Sequence, residues 1–161
     1  MAFAAGPGRV ADMFISPGFA DHLGAATESD SVTTSPVDRG LQAVFTSPTP
    51  DVPMARQLLG PKVTITETVT WDDPGENGAR TGRLALALAG LPAGADGPLV
   101  LEPSPTGSSV VYDAELRVRI PLLGKKLEQM VEGYARKMID ALQSIGNEWL
   151  AGATDPADGN D

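Results

Sequence analysis

Apolar and polar positions alternate most cleanly along Lys62–Trp71. Val63, Ile65, Glu67, Val69 and Trp71 fall on one face, and Thr64, Thr66, Thr68 and Thr70 on the other. A period of two with β-branched residues throughout predicts a half-buried strand. The same alternation predicts a strand at Leu84, Leu86 and Leu88. It also predicts a long last strand over Ser109–Ile120, with Val110, Tyr112, Ala114, Leu116, Val118 and Ile120 inward. Weaker patterns place strands at Ala26–Pro36 and Gly40–Ser47 around a turn at Val37–Gly40. A short strand at Pro98–Pro103 lies between turns at LPAGADG and SPTGSS.

The period then changes. Over Leu122–Ala151 the apolar residues step by three or four: Leu127, Val131, Tyr134, Met138, Ala141 or Leu142, Ile145 and Trp149. This predicts one long amphipathic helix, with Glu128, Glu132, Arg136, Asp140 and Gln143 on its outer face. Near the N-terminus, a short apolar start at Ala2–Ala5 precedes a helix opened by Pro7, which carries Val10, Met13 and Phe14 on one side. A second helix runs Pro17–Leu23 with Gly24 as its C-cap. A short third helix, Pro53–Leu59, is capped by Asp51 and closed by Gly60. A long terminal helix after many strands must lay its apolar stripe on the sheet, because nothing else remains to cover either one. The expected class is α+β: a curved antiparallel sheet of about six to seven strands around a long C-terminal helix. The expected organisation is one domain over residues 1–152 and a disordered acidic tail over 153–161.

Composition narrows the function classes. The chain has 161 residues, 12 Lys and Arg against 21 Asp and Glu, and a net charge of −9. Such an acidic chain is a poor partner for a phosphate backbone, so nucleic acid is not expected. Cysteine is absent and His22 is the single histidine, which removes thiol chemistry and the usual zinc sites. No cofactor motif or phosphate-binding glycine loop is present. The N-terminus lacks the layout of a standard signal peptide, and no apolar run reaches the ~18 residues of a membrane span. A cytoplasmic protein is expected. The high Ala, Gly, Pro, Asp and Thr usage is that of a GC-rich genome, as in actinobacteria.

The order of strand, two short helices, six strands and long helix is similar to the START/Bet v 1-like (SRPBCC) superfamily, the helix-grip fold. TPDVPMARQLLG, GPKVTITETVTW (Gly60–Trp71) and RVRIPLLGKKLE (Arg117–Glu128) resemble an actinobacterial family in that superfamily, the domain of unknown function 2505. The resemblance spans about Ala4 to Ala151 and carries no catalytic motif. It departs at the start, where a stub stands in place of a full opening strand. It implies a hydrophobic cavity between the sheet and the C-terminal helix, used variously for lipids, hormones, polyketides or partner proteins.

Glu67 is the sharpest anomaly, a carboxyl on an apolar strand face between Ile65 and Val69. It reads either as a polar anchor or general acid/base in a cavity, or as a rim residue or the partner of an arginine. Tyr112 and Tyr134 face inward by periodicity and can offer hydroxyls. Met130 and Met138 give a soft lining, and Trp71 a large apolar surface. Each has an ordinary packing role as its alternative. The expected function is binding of a small hydrophobic ligand, lipid or polyketide-like, at Glu67, Trp71, Tyr112, Met130, Tyr134 and Met138. No catalytic or metal-binding residue is assigned. The rivals are a cyclase- or hydratase-type enzyme using Glu67 with a pocket tyrosine, and a protein-interaction module with a filled core.

Overall fold

The computed structural model describes residues 1–51, 53–119 and 124–152. Within its last helix, side chains are described for Gln129, Glu132, Gly133 and residues 135–152. Leu127 and Val131 of the expected stripe, Ile120 and the tail 153–161 therefore lie outside the described residues.

The elements run β1 (Ala2–Phe3), α1 (Pro7–Phe14), α2 (Pro17–Ala26), β2 (Ser31–Val37), β3 (Gly40–Pro48), α3 (Pro53–Leu59), β4 (Lys62–Trp71), β5 (Arg80–Leu88), β6 (Ala93–Ser104), β7 (Gly107–Tyr112), β8 (Glu115–Val118) and α4 (Gly124–Gly152). All strands pair antiparallel, in the order β1-β7-β6-β5-β4-β3-β2, with β8 also on β6. The sheet is curled into a half-barrel, and the α+β class is as expected. The strand Lys62–Trp71 has the expected bounds.

Three boundaries differ from the sequence reading, each for a physical reason. The second helix does not stop at Gly24. Gly24 is buried inside it, and Thr27 ends it, its N–H and hydroxyl both donating to the Leu23 carbonyl at 2.9 and 2.8 Å. The next strand accordingly starts at Ser31, not Ala26. The segment AGADG, read as a turn, is the first half of β6, whose small residues hid its alternation. The expected strand Ser109–Ile120 is interrupted at Asp113–Ala114. Both halves keep one register on β6, since Leu99 faces Tyr112 and Asp96 faces Glu115. Between them stand Pro98, which has no N–H to donate, and Gly97, where a Cβ would fall 1.9 Å from the Asp113 carbonyl oxygen. β7 and β8 are thus one broken strand, which makes seven strand positions.

The closed core fills one end of the half-barrel. Val10, Met13, Phe14 and Phe19 from α1 and α2 meet Val69, Trp71, Leu99, Leu101 and Val110 of the sheet and Leu150 of α4. Leu142, Ile145 and Trp149 pack against this cluster, so the C-terminal part of the expected stripe holds. Ile145 and Met138 remain partly exposed. Gly146 lets α4 approach closely, because a Cβ there would sit 2.7 Å from the Phe3 ring.

Gln143 is not on the outer face. It accepts the Ala2 N–H at 2.7 Å, while Asn147 accepts the Ala4 N–H at 2.8 Å and donates to the Ala2 carbonyl at 3.1 Å. An edge strand of two residues needs these partners for its free backbone groups, and period-counting along the helix cannot reveal them. α4 approaches α1, α2 and β1 along this end and β8 further along. No helix among the described residues is long and apolar enough to cross a membrane.

Candidate functional site

The concave face is built in rungs set by strand register. One rung reads Ala43–Glu67–Leu86–Ala95–Leu116. The next, toward the closed core, reads Leu41–Val69–Leu84–Gly97, and the one beyond it Trp71–Gly82–Leu99–Tyr112. The Tyr112 hydroxyl donates to the Leu84 carbonyl at 3.3 Å, reaching back to the rung beside that of Glu67.

Burial changes along this face. Trp71, Leu99, Leu101 and Val110 are sealed, whereas Ile65, Glu67, Leu84, Leu86, Ala95 and Leu116 keep partial contact with solvent although all but one are apolar. Two causes are visible. The elements that pack the other end reach this part only through Ala20 of α2, over Leu41 and Ala43, and through α4 where it approaches β8. The side chains at Ala43, Ala95 and Gly97 are also too small to fill the curl. The result is an apolar trough with one carboxyl in its floor.

Glu67 keeps only partial contact with solvent, and this burial pushes its carboxyl up from 4.5 to about 7. Removing a carboxylate from water favours its neutral form, and no opposing charge among the described residues lowers it. Among the described residues, Arg80 is the other charged residue at a strand position on this face. It lies six positions along β5 from Leu86, about 20 Å. Burial, then the negative charges of Asp96 and Glu67, push the Tyr112 hydroxyl up to about 12, with Arg83 opposing. Tyr112 therefore stays a donor across the working pH range. Glu67 donates when neutral and accepts or pairs with a cation when ionised.

The other expected site residues distribute differently. Trp71 is 3% exposed in the closed core, edge-on to Phe14 at 6.1 Å. Met138 is partly exposed on α4. Met130 and Tyr134 belong to α4, but their side chains lie outside the described residues. Register thus brings Glu67 and Tyr112 onto one face within two rungs and sets Trp71 at the sealed end. Leu86, Ala95 and Leu116 complete the trough. Leu86 and Leu116 already stood on alternating apolar faces in the sequence, whereas Ala95 was missed because the glycines of AGADG hid its alternation.

A separate open groove of about 580 Å³ runs over the opposite, convex face, floored by Ala85, Ala87 and Gly94 and edged by Arg117. It contains none of the expected site residues. His22 is exposed within α2, its ring 5.5 Å from that of Trp149. Among the described residues, no group of three His, Asp or Glu could hold a metal ion.

Residues 1–150 match the family described as Protein of unknown function (DUF2505). The chain belongs to this family. Its fold is similar to the crystal structure of TTHA0849 from Thermus thermophilus, with a TM-score of 0.65 and 21% identity over 95% of this chain and 94% of that one. It is also similar to the crystal structure of protein Ms6760 from Mycobacterium smegmatis, with a TM-score of 0.59 and 14% identity over 92% and 86% of the two chains. At these identities the likeness is one of fold. No curated protein matches the chain. The match spans β1 to β8 and α4 up to its last two residues.

Proposed function

We propose that this DUF2505 domain binds a small hydrophobic molecule, lipid or polyketide-like, in the space between the concave face and α4, as the START/Bet v 1-like resemblance implies. The observation that carries this reading is the half-open concave face. An apolar surface around Glu67 stays in contact with solvent while the other end of the same face is sealed. Small-molecule sites are mostly apolar with a few fixed polar groups, and Glu67 with Tyr112 supplies those groups. α4, which carries Met130, Tyr134 and Met138, is the opposite wall in this reading, and Trp71 backs the sealed end. Partial exposure weighs against the filled-core alternative.

Ligands that bind only the folded state raise its stability by linkage, about 2.7 kcal/mol at a hundredfold excess over Kd. A panel of fatty alcohols, sterols and aromatic polyketides should therefore include members that raise the melting temperature by several degrees. Met138→Trp should reduce that rise while leaving the unliganded melting temperature nearly unchanged. No response to any of the panel would overturn the reading.

One observation favours the enzyme alternative as a second reading. A carboxyl at about 7, with a protonated tyrosine on the same face, suits general acid–base work near neutral pH. Glu67→Gln separates the two readings. It should leave apolar binding in place if Glu67 is an anchor, and abolish turnover of a bound ligand if it is catalytic.

A further inference from the structure

Resting on the binding role proposed above, we infer that the ligand is an apolar amine, whose hydrocarbon body lies against Leu84, Leu86 and Leu116 and whose protonated nitrogen meets the Glu67 carboxylate.

Geometry comes first. Glu67 has Ala43 and Leu86 across from it and Ile65 and Val69 along its own strand. None of these can accept or donate through a side chain. No hydrogen bond or ion pair to the Glu67 side chain is formed by the described residues. β3 offers it no titratable group. On β5, Arg80 is about 20 Å away along the strand and Arg83 stands on the convex face with Asp96. Tyr112 faces it from β7, with its hydroxyl committed to Leu84. Glu115 and Arg117 of β8 pair with each other on the convex side. On α2, Asp21 and His22 are exposed. On α4, Glu132, Arg136, Lys137 and Asp140 are exposed, and the side chains of Lys125, Lys126, Glu128 and Tyr134 lie outside the described residues.

Charge then decides among head groups. A hydroxyl or amide side chain would serve a carbonyl or alcohol ligand as well as Glu67 does, without an ionisation penalty. What a carboxyl adds is a negative charge, and only a cation uses it. A ligand carboxylate would place two like charges together in an apolar trough. The whole chain carries −9, so its field concentrates cations at the mouth and repels anions. Burial alone raises Glu67 from 4.5 to about 7, which is a factor of about 300 between its protonation states. A cation that relieved that penalty could gain up to the same factor in affinity, and its binding would displace a proton below neutrality.

The test compares three ligands of one chain length, decylamine, decanol and decanoate, by calorimetric titration of the wild type and Glu67→Gln at about pH 5.5 and about pH 8.5. At the higher pH, decylamine should bind wild type at least tenfold more tightly than decanol, with decanoate weakest. That advantage should shrink about tenfold at the lower pH and vanish in Glu67→Gln, which is isosteric and keeps the rest of the acidic surface. Decanol binding as tightly as decylamine at the higher pH overturns the amine inference and leaves the binding role intact. So does an amine preference that survives in Glu67→Gln. Failure of all three to bind overturns the amine inference, while the binding role falls only if the wider panel above also fails. The wild-type pH comparison stands by itself if the variant does not fold.

Discussion

Phe14→Ala should destabilise the protein by about 3–5 kcal/mol, the range for removing a large buried aromatic side chain. Phe14 is 8% exposed and stands where three elements meet. Its ring is edge-on to Phe3 of β1 at 5.8 Å, to Phe19 of α2 at 6.5 Å and to Trp71 of β4 at 6.1 Å. The loss therefore combines transfer of the ring, the cavity left behind and three aromatic contacts worth about 0.5–1.5 kcal/mol each. These neighbours cannot collapse into the space, because Phe3 is held against Ser108 by strand pairing and Trp71 against Gly82. Ile139→Ala, at a side chain 40% exposed on α4, should change stability by no more than about 0.5 kcal/mol. Equal urea midpoints for the two variants would contradict this placement of the core.

The second large effect is on the pH dependence of stability. Glu67 is raised from 4.5 to about 7 in the folded state by burial. Between those values the folded protein holds a proton that the unfolded chain has released. Stability from this group is therefore full below 4.5, falls as pH rises, and is lost above 7. The fall is about 3 kcal/mol in all, at about 1.4 kcal/mol per pH unit. Glu67→Gln cannot ionise, so it should remove this part of the slope. It should be more stable than wild type by about 2–3 kcal/mol near pH 8 and nearly equal to it near pH 4.5. Urea unfolding of both proteins across this range checks it. Parallel profiles would show that Glu67 is solvated or paired with a cation.

Much of this was legible in the sequence because burial on one face imposes a period. The strand Lys62–Trp71 was read with the bounds it has, since its threonines and β-branched apolar residues mark two different surfaces. Glu67 stood out for the same reason, as the polar exception on the apolar side. The Thr46–Thr64 and Gln42–Thr68 hydrogen bonds at 3.1 and 3.3 Å confirm the opposite face as the polar one. What escaped the reading lacks that contrast. Ala93, Ala95 and Gly97 face inward, but small residues carry almost no hydrophobic signal, so half of β6 passed for a turn. Those same small residues make room for the trough. Gln143 looked like an ordinary outer-face residue and Asn147 gave no signal, since their partners are backbone groups more than 140 positions away. Trp71 shows the converse limit: alternation told that it faces inward, but not that Phe14 from α1 would seal it.

The most direct measurement is a carbon-13 titration of the Glu67 side-chain carboxyl, in the free protein and with a saturating apolar ligand. The expected midpoint is near 7 for the free protein, with a clear displacement when the ligand is bound, downward for an amine. A midpoint near 4.5 that no apolar ligand moves would contradict a buried carboxyl in a ligand-binding trough.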